Sequence, residues 1–274
     1  RQRQMCIRDS SSIVRKMTTV AEKIVVMTPC YNIFFNSIVN NGRNVLESRL
    51  HYEDGVYSID QEDLEEKLAD PQTSMLILCN PHNPVGKIWD RETLERIGEL
   101  CFKHHVLVLS DEIHCDITRP GMEYIPFASA SEHCKNNSIT CVAPTKTFNL
   151  AGLQTAAVIV PDAALRHRVN RGLNTDEVAE PNVFAAIAPI AAFDRGREWL
   201  EELREYLWEN RKAAEDFIRE EIPELRTVSA DATYLLWIDC NALPGDLSEL
   251  AEFIRKESGL YVCDGREYLS LIHI

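Results

Sequence analysis

Three short apolar runs in this sequence each lead into residues whose side chains can do chemistry. MLILC (75–79) runs into Asn80-Pro81-His82-Asn83-Pro84-Val85-Gly86. VLVL (106–109) runs into Ser110-Asp111-Glu112-Ile113-His114, and SITCV (138–142) into Ala143-Pro144-Thr145-Lys146-Thr147. In an open α/β sheet, ligands bind outside the carboxyl ends of the strands. An amide, a carboxylate and an amine are therefore expected at one edge. The amine can form a Schiff base with an aldehyde. A carboxylate beside a pyridine nitrogen keeps that nitrogen protonated and makes the ring an electron sink. An amide can donate to a phenolate oxygen, and an aromatic side chain can stack on the ring face. These are the parts that pyridoxal phosphate chemistry requires.

The surrounding pattern is suited to positioning them. Strands are expected over 23–27, 43–50, 75–79, 106–109, 138–142 and 156–160. Helices are expected over 31–41, 61–69 and 91–104, the last capped by Asp90. Continuous apolar strands alternating with amphipathic helices predict an α/β fold with a mainly parallel sheet covered on both faces. After Pro161 the texture changes to helices over 163–173, 183–193 and 195–220, then strands over 226–228 and 233–239 and a helix over 247–258. That pattern predicts a smaller α+β unit. We divide the chain into a large domain over 11–180 and a small C-terminal domain over 181–268. The segments 1–10 (RQRQMCIRDS) and 269–274 (LSLIHI) have no periodicity that fits either, and are set aside as non-native tails.

Composition narrows the function classes. With 29 basic and 43 acidic residues the net charge is −14, which argues against nucleic acid or an anionic membrane as partner. No apolar run reaches the ~18 residues of a membrane-spanning helix, and no secretory h-region is visible. Nine cysteines, an odd number without CxxC spacing, fit neither a disulfide framework nor a zinc cluster, so no metal is expected and a reducing cytoplasm is.

NPHNPVGK, SDEIHCD and TKTFNLAGLQTA, in that order, resemble fold-type I pyridoxal phosphate enzymes of the class I/II aminotransferase superfamily. Together with TPCYNIFF they most resemble its MalY/PatB branch, the cystathionine β-lyase-type C–S lyases. The resemblance covers roughly Ser11 to Tyr268. It implies a large domain built on a seven-stranded type of sheet, incomplete in this segment, and a truncated small domain. It implies that Lys146 is the Schiff-base lysine and the base at Cα, that Asp111 pairs with the pyridine nitrogen, and that Asn83 bonds the cofactor's O3′. His114 stands where many aminotransferases have a tyrosine, and either approaches O3′ or supports Asp111. Tyr31 matches the aromatic residue that stacks on the ring. Ala143 and Gln154 replace the serine and arginine that contact the phosphate in aspartate-type aminotransferases, which favours the lyase branch and leaves Thr145 as a weak phosphate contact.

The implied activity is α,β-elimination of a small sulfur amino acid, cystathionine or a related cysteine S-conjugate, by a homodimer. An aminotransferase and a MalY-like regulator-binding protein are the alternatives. By the same resemblance the phosphate-binding glycine loop precedes Ser11 and the substrate-carboxylate arginine follows the DGREY segment. This segment alone is therefore expected to be impaired.

Overall fold

A computed structural model describes residues 5–180, 182–270 and 273, with the side chains of residues 5–8 left undescribed. The chain opens with helix α1 (Met5–Met17), strand β1 (Lys23–Thr28), helix α2 (Ile33–Val39) and strand β2 (Asn44–Arg49). A hairpin of β3 (His51–Glu53) and β4 (Val56–Ser58) leads to α3 (Gln61–Ala69), β5 (Thr73–Cys79), α4 (Arg91–Lys103) and β6 (Leu107–Asp111). Two short helices, α5 (Phe127–Ala130) and α6 (Glu132–Asn136), precede β7 (Ser138–Val142), α7 (Pro144–Thr147), β8 (Ala157–Ile159) and α8 (Ala163–Thr175). The remainder is α9 (Ile187–Arg195), the long α10 (Arg197–Glu221), β9 (Arg226–Thr227), β10 (Ile238–Asp239) and α11 (Leu247–Ser258).

Six strands form one sheet in the order β2-β1-β5-β6-β7-β8, parallel except for the antiparallel edge strand β8. The two-residue period of a strand sends alternate side chains to opposite faces. Val25, Met27, Leu76, Leu78 and Val108 pack on one face with Leu64 and Leu68 of α3 and Leu94 and Ile97 of α4. Ile24, Val26, Met75, Ile77 and Ile139 pack on the other with Ile13 and Val14 of α1, Ile38 of α2 and Val169 of α8. A sheet with both faces covered needs apolar residues at every central position, which explains the unbroken apolar strands. Aspartates start the flanking helices: Asp60, Asp90 and Asp162 each accept from backbone N–H groups in the first turn of α3, α4 and α8. Such caps stabilise a helix by ~1 kcal/mol each.

Four local expectations are corrected. Residues 5–10 are not aperiodic; they form the first turns of α1, with Asp9 and Ser10 buried. Residues 1–4, Leu271, Ile272 and Ile274, parts of the two proposed tails, lie outside the described residues, while His273 is buried and stacks on Trp237 at 5.1 Å. The helix expected from 183 begins at Ile187. The strand expected over 233–239 survives only as β10. Thr233 has φ +70°, in the left-handed region, and the Leu235 carbonyl is taken by the Arg211 guanidinium at 2.8 Å. The backbone thus leaves extended geometry, and a carbonyl that could have joined a ladder is already bonded. The β3–β4 hairpin was not anticipated, although Asp54-Gly55 at its turn, both at positive φ, is a recognisable hairpin signal.

Candidate active site

The site lies at the carboxyl edge of the sheet. Cys79 and Asp111 are register partners at the ends of β5 and β6, and Cys141 of β7 pairs with Asp111 on its other side. The chain beyond β5 turns through Asn83, the chain beyond β6 through His114, and the chain beyond β7 enters α7, which carries Lys146. Parallel strands in register thus deliver three distant segments to one place.

A cavity of about 170 Å³ is lined by Tyr31, Cys79, Asn83, Asp111, Ile113, His114, Lys146, Tyr234, Leu235 and Tyr268. All five residues singled out in the sequence reach it. Of three larger hollows elsewhere on the molecule, two are lined by no lysine, and the third gathers Lys87, Asp90 and Gln61 away from Asn83, Asp111 and Lys146. Asp111 is buried and its Oδ1 accepts from the Ile113 backbone N–H at 3.2 Å. Burial, reinforced by the neighbouring Asp111 charge, pushes the Cys79 thiol well above its usual range and keeps it neutral. Asn83 Nδ2 donates to His114 Nε2 at 3.4 Å, which puts the imidazole proton on Nδ1. The His114 ring meets the Tyr234 ring edge-on at 5.7 Å. Burial, and secondarily the Lys146 charge, hold His114 down to about 3, so it is neutral at physiological pH. Lys146 Nζ lies 5.9 Å from the centre of the Tyr234 ring, within range of a cation–π contact.

The walls of the site are held by contacts between segments far apart in sequence. His82 Nε2 is 2.9 Å from the Pro29 carbonyl, which ties the Asn83 turn to the loop that carries Tyr31. Gly86, at φ +77°, receives the backbone N–H groups of Asp231 and Ala232 on its carbonyl at 2.8 and 2.9 Å. A Cβ there would stand 2.6 Å from the Ala232 oxygen. This close approach docks the segment bearing Tyr234 and Leu235 onto the Asn83 turn. Buried Arg211 of α10 fixes the same segment through the carbonyls of Val228 and Leu235. The Cys30 N–H bonds the Tyr268 carbonyl at 3.2 Å, which brings Tyr268 beside Tyr31.

Tyr234, Leu235, Tyr268, His82 and Gly86 were not singled out in the sequence. Gly86 had a local signal, a glycine closing a Pro-containing turn; the others are recruited by tertiary contacts alone. Thr145, the weak phosphate candidate, is buried with an unpartnered hydroxyl and does not line the cavity.

The donor set fits pyridoxal phosphate. An amine, a buried carboxylate, an amide and an aromatic ring surround the cavity. Two buried polar atoms of its lining residues, Asn83 Oδ1 and His114 Nδ1, have no protein partner. Buried polar atoms without partners are costly, and a polar ligand carrying both hydrogen-bond donors and acceptors would supply them.

Comparison with known proteins agrees with this chemistry. The model of the family described as aminotransferase class I and II matches residues 11–270. Cystathionine β-lyase PatB of Bacillus subtilis is 42% identical over 258 residues, covering 94% of this chain and 67% of that protein. Cystalysin from Treponema denticola, whose crystal structure contains pyridoxal 5′-phosphate, superposes with a TM-score of 0.93 at 30% identity, covering 96% of this chain and 67% of that one. The PLP-bound C–S lyase of Staphylococcus hominis superposes with a TM-score of 0.88 at 29% identity, covering 97% and 68%. The chain thus spans about two thirds of the length of these relatives. A sheet edge built to gather Asn83, Asp111 and Lys146, matched along almost the whole chain, places this protein in the aminotransferase class I and II family, on its cystathionine β-lyase-type branch.

Proposed function

We propose that this protein is a pyridoxal phosphate-dependent carbon–sulfur β-lyase, which splits cystathionine or a related cysteine S-conjugate into a thiol, pyruvate and ammonia. The observation that carries the reading is the convergence of Lys146, Asp111 and Asn83 on one cavity, in a chain 42% identical to a cystathionine β-lyase. When bound, the cofactor supplies an aldehyde for amino groups and an electron-poor ring that spreads negative charge arising at Cα. Lys146 Nζ anchors it and then, as a free amine, takes the proton from Cα. The Asp111 carboxylate holds a proton at the pyridine nitrogen. Asn83 would donate one Nδ2 hydrogen to the cofactor's O3′ and keep the other on His114 Nε2. Tyr31 covers one face of the ring. The neutral His114 orients the Asn83 amide without adding a positive charge beside Lys146. Tyr234, Leu235 and Tyr268 shield the reacting atoms from water.

The substrate class, a small sulfur amino acid, follows from this reading. A second copy of the chain is its natural partner: Phe184, Ile187, Ile190 and Phe193 leave an apolar face on and before α9 that is more than half exposed at each position, and such faces mark interfaces. Seven of the eight described cysteines are at least partly buried, and cysteine usage of this kind suits a reducing cytoplasm. No described helix is long and apolar enough to cross a membrane.

The test is pyruvate release from cystathionine by purified protein supplied with pyridoxal phosphate and no keto acid. Release that is lost in both Lys146→Ala and Lys146→Arg, with borohydride fixing the pyridoxyl group on Lys146 alone, is the expected result. Turnover that requires a keto-acid acceptor would instead identify an aminotransferase. A label on another lysine would overturn the site.

A further inference from the structure

Two motif residues have no role in the chemistry above: the second aspartate of SDEIHCD and the threonine after Lys146. They meet. Thr147 Oγ1, fully buried, donates to Asp116 Oδ2 at 2.9 Å. The Asp116 backbone carbonyl in turn accepts from Arg204 Nε of α10 at 2.6 Å.

Lys146 sits on α7, a helix of only four residues. A single turn is not stable by itself, and its own backbone contributes little more than the bond from Phe148 N–H to the Pro144 carbonyl. The direction of the lysine stem must therefore be fixed by what its neighbours hold. The Thr145 side chain offers no bond, since its buried hydroxyl is unpartnered. The Thr147 hydroxyl is the side-chain tether beside Lys146, and Asp116 lies two residues beyond His114 on the loop that follows Asp111 at the end of β6. One hydrogen bond thus joins the lysine turn to the loop bearing the carboxylate, and Arg204 pins that joint to the helix whose Arg211 holds the Tyr234 segment.

The geometry points to Thr147 and Asp116 as positioning residues for Lys146: their hydrogen bond, braced by Arg204, sets where the Lys146 amine stands relative to Asp111. This rests on the reading of Lys146 as the cofactor lysine, and the experiment separates the two. Thr147→Val removes the donor at nearly constant volume, Thr147→Ser retains it, and Asp116→Asn retains an acceptor without the charge. Two readouts are taken on each purified protein. One is the yield of borohydride-fixed pyridoxyl on Lys146 at limiting pyridoxal phosphate, with the pH at which the bound cofactor's visible band changes. The other needs no cofactor: the rate of Lys146 acetylation in the apoprotein, relative to exposed Lys135, followed by peptide mass spectrometry.

Loss of one buried hydrogen bond corresponds to roughly a fivefold change. Thr147→Val is expected to lower the pyridoxyl yield about fivefold, move the band's pH midpoint, and change the relative acetylation rate by a similar factor. Thr147→Ser and Asp116→Asn should stay within about twofold of wild type in pyridoxyl yield and acetylation rate, with the band's pH midpoint unmoved. A Thr147→Val protein within twofold of wild type in both readouts overturns the proposal. So does a Thr147→Ser protein as impaired as Thr147→Val, because the hydroxyl would then not be the cause. A wild-type protein that takes up no cofactor, while Thr147→Val still alters acetylation, would support the positioning role and overturn the lyase reading.

Discussion

Asp111 closes β6 beside Cys79, and its charge helps to keep that thiol neutral. The same charge is what a protonated pyridine nitrogen needs. Asp111→Asn keeps the shape and the acceptor for the Ile113 N–H but cannot stabilise a cation. If the lost interaction equals one pKa unit, ~1.4 kcal/mol, elimination slows roughly tenfold. Pyruvate release at saturating cofactor checks this, with circular dichroism to show that the fold is kept; turnover within a factor of two would count against the pyridine role. Asn83, Asp111 and Lys146 were legible in the sequence because each stands a few residues past an apolar strand, a purely local relation. Tyr234, Leu235 and Tyr268 were not, because what brings them to the cavity is a set of contacts across the chain: Gly86 to Ala232, Arg211 to Leu235, Cys30 to Tyr268.

At the scale of elements, the docking of the 230–235 segment onto the Asn83 turn depends on Gly86. A methyl group there meets the Ala232 carbonyl oxygen and the Ala230 side chain at 2.6 Å, on a backbone already at φ +77°. Gly86→Ala is therefore expected to destabilise the protein by about 1–3 kcal/mol and to loosen Tyr234 from the cavity. A lowered urea midpoint would register the first effect and weaker cofactor binding the second; an unchanged midpoint would show that the two segments separate freely. All six strands of the main sheet were legible, the four inner ones because burial on both faces imposes continuous apolar runs; the edge strands β2 and β8 are only partly buried. The run over 233–239 carries the same composition yet ends as a two-residue strand. Composition reports burial; it does not report that Thr233 turns left-handed or that a distant arginine has taken the Leu235 carbonyl. The β3–β4 hairpin failed in the opposite way: its strands are three residues each, too short for a pattern, and only the Asp54-Gly55 turn marked it.

The molecule as a whole should lose stability on mild acidification. Burial lowers His82 from 6.5 to about 4 and, with the Lys146 charge, His114 to about 3. Each imidazole is neutral when folded and gains a proton on unfolding between its lowered folded value and pH 6.5. Stability is therefore full above that pH and falls as pH drops towards 4, by up to ~1.4 kcal/mol per pH unit for each histidine. Glu112, whose carboxyl burial raises from its ordinary value while Ser110, Tyr124 and the Phe127 N–H bond to it, acts in the opposite sense and offsets part of the loss. The net expectation is a thermal midpoint that declines between pH 6.5 and 4.5, and less steeply in His82→Gln, whose amide can still reach the Pro29 carbonyl. A midpoint flat across that window would mean that the imidazoles titrate normally.

The cavity takes its first lining residue from position 31 and its last from position 268. On the ribosome, Lys146 and Asp111 therefore emerge well before Tyr234 and Tyr268 exist. At roughly 5–20 residues per second, the chain between Lys146 and Tyr268 takes on the order of ten seconds to synthesise. Throughout that interval the lysine is an open amine on an unfinished wall, accessible to any aldehyde in the cell. Capture of the vitamin-derived cofactor must then be a late event, and nascent chains arrested before residue 230 should fail to retain it where released chains succeed.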